Sequence, residues 1–431
     1  MSLATSRAAK RCEATAPTTK GWRRRQRRDR GWLRAQDEPP LCFSPSAWPT
    51  DHVLSARELL PSPDVTTQGG RGGSVMRELK RLARPDVCEE RSLMVTDAAE
   101  TGFGSMVSSL VKPLLAALSR SQSLLTPYLI LYADPARCAD ADFGCYFEPL
   151  SACDCGEIAA RHGGITDRHT IAAPHPARLN HPRSFTINRA ISHLRSGDRA
   201  LPRAHRSAGW FRVVAQLYAY LMRPNAALAA AVTGAKHSLG WPQDGRVLSL
   251  HVRLGDACTR DEMARTARRC DRLEAYAPHV WRVARRYDLR HVFLATDDES
   301  VVGEARRTFG AGPNPLQLLS LPNVAVRQRN RPNADGSPAA DGGLIDDLLR
   351  SRRVDGFSEG WAAALDLLLL AEGAALVGKF TSNMDRIAYA LMGAARGRNC
   401  LRPFVSIDSA WCFDFGVHGS GIALNGTTFQ C

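Results

Sequence analysis

An α/β fold built on parallel sheet, in two Rossmann-like units, is the architecture this chain predicts. Three observations carry the expectation. Apolar runs of strand length alternate with amphipathic stretches of helix length between 246 and 395, the pattern of a parallel sheet with right-handed crossovers. An earlier unit of the same kind begins near residue 91. Three of the later runs end in polar motifs: HVRLGD at 251–256, LATDD at 294–298 and FTSN at 380–383. In open α/β sheets the ligand crevice lies at the carboxyl ends of the strands, so these motifs are three walls of one candidate site.

In chain order, residues 1–36 hold eleven Lys/Arg against two acids, so +9 of the net charge of +14 lies in that arm. The excess left over the other residues fits an anionic small molecule better than a wrapped nucleic acid. The arm culminates in WRRRQRRDR (22–30) and reads as a solvated tail, an RNA- or membrane-binding segment, or a targeting signal. It has no apolar stretch that would make it a secretory signal. PPLCFSPSAWPTD (39–51) and LPSPDVTTQGGRGGS (60–74) read as coil and linker, so 1–90 is expected to be a disordered arm. In 101–121, Gly102 and Gly104 precede a helix with apolar Met106, Leu110, Val111, Leu114, Leu115 and Leu118. Pro113 must lie near a helix start or kink it. The stretch 124–135 reads as a strand. Residues 209–232 read as one or two helices, broken at Pro224 with Asn225 as a cap.

The second unit is expected as strand 246–252, helix 272–287, strand 291–295, helix 298–309, a strand near 323–327, helix 358–372, strand 374–378 and helix 383–395. NRPNADGSPAADGG (330–343) is a long polar loop. The nearest approach to a membrane span, Trp361 to Val377, is interrupted by Asp366, Glu372 and Gly373, and reads as a core helix running into a strand.

The twelve cysteines lack paired CxxC knuckles and read better as disulfides of an oxidising lumen than as a zinc site. The sequon Asn425-Gly426-Thr427 agrees. A lumenal chain needs a signal or anchor, so either the true N-terminus lies elsewhere or the basic arm replaces it.

At the strand ends, His251, Arg253 and Asp256 lead. An arginine fork binds phosphate through two parallel hydrogen bonds, and Asp256 either holds it in place or caps the adjoining segment. Asp261 and Glu262, on the next loop, are either solvated acids or a base for a hydroxyl nucleophile. Asp297 and Asp298 suit Mg²⁺, hydroxyls or a helix cap; one is expected to cap and the other to face ligand. Thr381, Ser382 and Asn383 precede a helix, where hydroxyls and backbone N–H groups either cap it or receive phosphate. Asp366, inside Ala-Ala-Leu-Asp-Leu-Leu-Leu-Leu, needs a partner or a function.

Taken in order, GFGSMVSSLVKPLLAA, Trp210-Phe211, Arg223-Pro224, HVRLGD, YDLRHVFLATDDESVVGEA and FTSNMDRIAYALM resemble the GDP-fucose-dependent fucosyltransferases, and most the α1,6-fucosyltransferases of N-glycan cores. The likeness covers roughly 101–395. It implies a GT-B-like pair of lobes: 91–240 on the acceptor side and 241–400 binding GDP-sugar, with 401–431 as a cysteine-containing extension. It implies inverting transfer of fucose from GDP-fucose to a glycan hydroxyl without cofactor or metal. The partners are then a nucleotide-sugar donor and a glycan or glycoprotein acceptor, with no nucleic acid, in the secretory pathway or Golgi lumen.

In that resemblance His251 and Arg253 belong to the donor site, with Arg253 gripping the diphosphate and Asp256 next after it. Asp261 takes the place of a general base, and Asp261 or Glu262 is expected to remove the acceptor's proton. Tyr276 matches a donor-site tyrosine. Asp297 and Asp298 match acids near guanine, ribose or acceptor, and Asp366 the acid on the guanine edge. Ser382 and Arg386 match the phosphate-facing serine and a following arginine, and Thr381 is placed with them in the donor site. Leu254 stands where the family shows a second arginine and Ala257 where it shows a lysine. The insertion bracketed by Cys258 and Cys270 also departs, and those cysteines are expected to pair. Neither a coiled-coil stem nor an added SH3-like domain is recognisable. An O-linked or α1,2-type fucosyltransferase and an inactive GDP-sugar- or glycan-binding homologue are the alternatives.

Overall fold

The computed structural model describes residues 75–84, 93–95, 101–125, 131–134, 136–138, 142–153, 201–208, 210–254, 258, 270–322, 345–394, 401–408 and 411. Its centre is a five-stranded, wholly parallel sheet. The strands are β3 (Val247–Val252), β4 (His291–Thr296), β5 (Gln317–Leu319), β6 (Ala375–Gly378) and β7 (Phe404–Ser406). Their order is β5-β4-β3-β6-β7, so the order reverses between β3 and β6. That is the switch point at which open α/β sheets form a crevice.

Every residue of β3 and β6 is buried, as expected of strands covered on both faces. Side chains alternate between those faces. Leu248, Leu250 and Val252 join Val292, Leu294, Ala375 and Val377 in the core beneath α6 (Leu273–Tyr287) and α7 (Glu299–Gly310). Val247, Phe293, Ala295 and Leu376 face the larger core on the opposite side. That core is shared with α9 (Gly356–Glu372) and α10 (Asn383–Ala394). Leu367 to Leu370 are buried without exception, so α9 is enclosed rather than merely amphipathic. Truncating one of these leucines to alanine costs about 2–5 kcal/mol.

The larger core extends into an N-terminal group: α1 (Val75–Leu82), α2 (Phe103–Ser109), α3 (Val111–Ser119), α4 (Trp210–Leu221) and α5 (Ala226–Ser238). A second, two-stranded parallel sheet lies here, β1 (Leu93–Val95) with β2 (Ser123–Leu125). Pro113 sits in the first turn of α3, where it loses no helical hydrogen bond. Asn225 caps α5 by accepting the Leu228 N–H at 2.9 Å. A short helix, α8 (Ile345–Arg350), completes the set.

Several expectations need correcting. Helix α1 lies inside the stretch read as a disordered arm; Val75, Leu79 and Leu82 are its buried stripe, at i, i+4 and i+7. The expected helix at 101–121 is two, divided at Leu110. The strand of 124–135 is confined to β2 among the described residues. The sheet's third strand in sequence is β5 at 317–319, while 323–327 and the loop 330–343 lie outside the described residues. Strand β7 falls in the expected C-terminal extension yet completes the sheet edge. The basic arm and the sequon are also outside the described residues. No helix among the described residues is long and apolar enough to cross a membrane.

Candidate functional site

Beyond β3 the chain keeps the strand's alternation, and that decides which side chains meet. Ser249 and His251 face α9 and α10: Ser249 Oγ donates to the Leu370 carbonyl at 2.8 Å, and His251 Nδ1 lies 2.7 Å from Asp385 Oδ2. His251 and Arg253 both line a cleft at this strand end. Leu254, one residue on, turns the other way and packs on the core formed by Leu250, Val252 and their neighbours.

The cleft draws on six further parts of the chain. Ala295, Thr296 and Asp297 come from the end of β4. Asp297 Oδ1 accepts the Leu254 N–H at 2.8 Å, which fixes the backbone just after Arg253. From α9 come Glu359, Ala362, Ala363 and Asp366. Their spacing of i, i+3, i+4 and i+7 puts them on one helix face, and the two alanines leave open the space between the acids. Gly102, Phe103 and Gly104, at the start of α2, also line it, as do Tyr132, Ile345 and Met384. The α2 start is held against α10: Asn383 Nδ2 donates to Ser105 Oγ at 2.6 Å. A Cβ on Gly104 would come within 3.1 Å of the Asn383 Cβ.

The electrostatics follow from burial. Burial pushes the Asp366 carboxyl up to about 7, with His251 partly opposing the rise. For His251, burial disfavours the charged ring, but the charge and hydrogen bond of Asp385, with Asp297, raise it above its ordinary value. Tyr132 is raised well above its usual range by burial, then by the charges of Asp346 and Glu359. Its hydroxyl donates to the Thr101 carbonyl at 3.1 Å.

The structure thus brings His251, Arg253, Asp297 and Asp366 into one cleft. Asp298 is elsewhere engaged: it caps α7, accepting from Ser300 N at 2.9 Å and Ser300 Oγ at 2.7 Å. Thr381, Ser382 and Arg386 are buried beside the cleft and do not line it. Thr381 Oγ1 donates to Asp408 and Arg386 to Asn383 Oδ1, so the turn is a buried polar brace between β6, α10 and the end of β7. Tyr276 is fully buried in α6, its hydroxyl without a hydrogen-bond partner among the described residues. Asp256, Asp261 and Glu262 lie outside the described residues, as does Ala257. Cys258 and Cys270 are joined, as are Cys138 and Cys145. Next to the first bridge, Asp271 reaches Lys379 at 3.5 Å.

Three residues of this region escaped the sequence reading. Asp385 stood in the first turn of a helix, where an acid is unremarkable, and with Asn383 and Arg386 as near neighbours it carried no local signal. Glu359 was detectable as the i−7 neighbour of Asp366. Tyr132 carried no local signal. Among the described residues, no group of three or more His, Cys, Asp or Glu is arranged to hold a metal ion.

Residues 72–313 match a family model described as the N- and catalytic domains of α-(1,6)-fucosyltransferase. An α-(1,6)-fucosyltransferase of Drosophila melanogaster is 27% identical over 185 residues, 42% of this chain. The chain spans only about a quarter of that relative's length, 25%. Among solved structures, NodZ α-1,6-fucosyltransferase soaked with GDP-fucose aligns at 16% identity, over 69% of this chain and 92% of the other, with a TM-score of 0.40. POFUT1 in complex with GDP-fucose aligns at 10% identity, over 75% and 99%, also at 0.40.

Proposed function

The chain belongs to the α-(1,6)-fucosyltransferase family, and we propose that it transfers fucose from GDP-fucose to a glycan hydroxyl, with inversion, on N-glycans. The observation that carries this reading is the convergence of Arg253, Asp297 and Asp366 in one cleft at the switch point of the sheet. An arginine and a buried carboxylate suit the two ends of GDP. The guanidinium offers paired donors to the diphosphate. An ionised Asp366 accepts from N1–H and the 2-amino group of guanine.

In the reaction, an acceptor oxygen attacks the anomeric carbon from the face opposite the diphosphate. The C–O bond to the β-phosphate breaks through an oxocarbenium-like transition state, as in glycoside chemistry. The electron pair leaves on GDP, where Arg253 stabilises the growing charge. The brace at Thr381, Ser382 and Arg386 holds the neighbouring turn in place. Asp261 or Glu262 receives the acceptor's proton. This reading divides the chain into two GT-B-like lobes, with 91–240 on the acceptor side, and its disulfides suit the secretory pathway.

One observation favours a second reading, a homologue that binds GDP-sugar without transferring it. Leu254 packs on the core, so that position adds no cation to the cleft. A transfer assay with GDP-fucose across a glycan array separates the two. Fucose on core-type N-glycans, lost in R253A, supports the enzyme. GDP binding with no transfer to any acceptor supports the inactive homologue.

A further inference from the structure

We propose that Asp385 is a positioning residue of the donor site: it grips the His251 ring through Nδ1 and keeps it an imidazolium, so that Nε2–H enters the cleft as a second cationic donor beside Arg253. The inference rests on the reading of the cleft as a GDP-sugar site.

Asp385 is fully buried, 0% exposed. Its Oδ2 meets His251 at 2.7 Å, while Oδ1 has no hydrogen-bond partner among the described residues. A carboxylate buried on those terms is costly unless the group it does meet is charged. The fold also makes room for it. A Cβ on Gly378 would overlap the Asp385 carboxylate, so the last residue of β6 has no side chain where this acid sits. Two carboxylates favour the charged ring, Asp385 from α10 and Asp297 from the end of β4; burial and the charge of Arg253 oppose them, while Asp366 from α9, which holds its proton to about pH 7, is the third acid facing the ring. The 2.7 Å contact with Asp385, together with Asp297, outweighs burial and Arg253, and the charged ring is favoured. With Nδ1 committed to Asp385, Nε2 is the nitrogen left for the cleft that His251 lines. Nε2 of a neutral ring with its proton on Nδ1 would present a lone pair, which repels phosphate oxygen; only the imidazolium donates there. His251 then supplies the charge that Leu254 does not.

Ring-nitrogen NMR of His251 in the ligand-free protein, and calorimetry with GDP and with guanosine over the pH range around neutrality, test this in wild type and D385N. In wild type the imidazolium is expected to persist above pH 6.5, the ordinary histidine value. GDP affinity is expected to fall as pH rises through that transition. D385N is expected to move this fall to lower pH and to weaken GDP about tenfold, the scale of one charge-assisted hydrogen bond. Guanosine, which has no phosphate, is expected to bind equally well to both. A His251 ring that is already neutral at pH 6.5 in wild type overturns the proposal, and that measurement needs no variant to fold. A D385N profile superimposed on wild type overturns it too. Wild type that does not bind GDP at all contradicts the donor-site reading beneath it, whereas a wild type that binds with an unmoved D385N profile contradicts the positioning alone.

Discussion

Asp297 Oδ1 accepts the backbone N–H of Leu254 at 2.8 Å. The end of one strand thereby fixes the path of its neighbour immediately after the arginine, and Arg253 enters the cleft from a clamped backbone. D297A removes that acceptor and is expected to weaken GDP binding by about tenfold, the scale of one lost hydrogen bond to a charged group. D297N keeps a carbonyl acceptor and should lose much less. Calorimetry on the two variants checks the difference.

Asp366 predicts two dependences on pH. In the ligand-free fold its carboxyl holds its proton to about pH 7, against 3.8 as its ordinary value. The folded state therefore binds more protons than the unfolded one between those limits. This contribution to stability is full below about 3.8 and is lost as pH rises through about 7. Thermal melting should show that decline in wild type and a flatter profile in D366N.

Guanine needs the ionised carboxylate, so GDP affinity should rise with pH through about 7, where Asp366 loses its proton. D366N should abolish that acid limb and weaken GDP, while leaving the alkaline limb assigned to His251 in place. Calorimetry with GDP across the range separates the two limbs.

Restoring the family's second arginine is not expected to restore a cradle. The Leu254 side chain points to the α6 side, onto the core of Leu250 and Val252, because neighbouring residues of an extended chain face opposite ways. L254R should lower the melting temperature, by burying part of a charge against apolar side chains, and should not tighten GDP. Paired melting and calorimetry would show either outcome.

The Cys258–Cys270 bridge closes a loop over a sequence separation of 12, and Asp261 and Glu262 lie within it. Replacing both cysteines by serine is expected to cost about 3 kcal/mol on the chain-entropy account. It should lower transfer more than GDP affinity, since Arg253 and Asp366 sit outside the loop. Denaturant unfolding and kcat/KM measured together decide this.

How much could be read from the chain depends on how far each signal reaches. The strands β3, β4 and β6 were legible because burial on both faces leaves unbroken apolar runs, and the polar ends of β3 and β4 pointed to the cleft. Strand β5 was missed: its register depends on pairing of Gln317 to Leu319 with β4, and Gln317 is exposed. Asp297 and Asp298 were expected to divide into a ligand-facing acid and a cap; Asp298 caps α7 and Asp297 lines the cleft. The role of Asp385 was hidden because its partner lies 134 residues away in sequence, and local pattern carries no information at that range. Thr381 and Ser382 looked like phosphate ligands because a turn before a helix offers the same groups whether it faces a ligand or a neighbouring carboxylate such as Asp408.

The most direct test of the central claim is calorimetric titration of GDP into wild type and R253A. Saturable binding at one site in wild type, weakened by at least about tenfold in R253A as loss of paired guanidinium–phosphate bonds requires, is the result predicted. Equal affinity in the two proteins, with both folded, would contradict the assignment of this cleft to a nucleotide-diphosphate sugar.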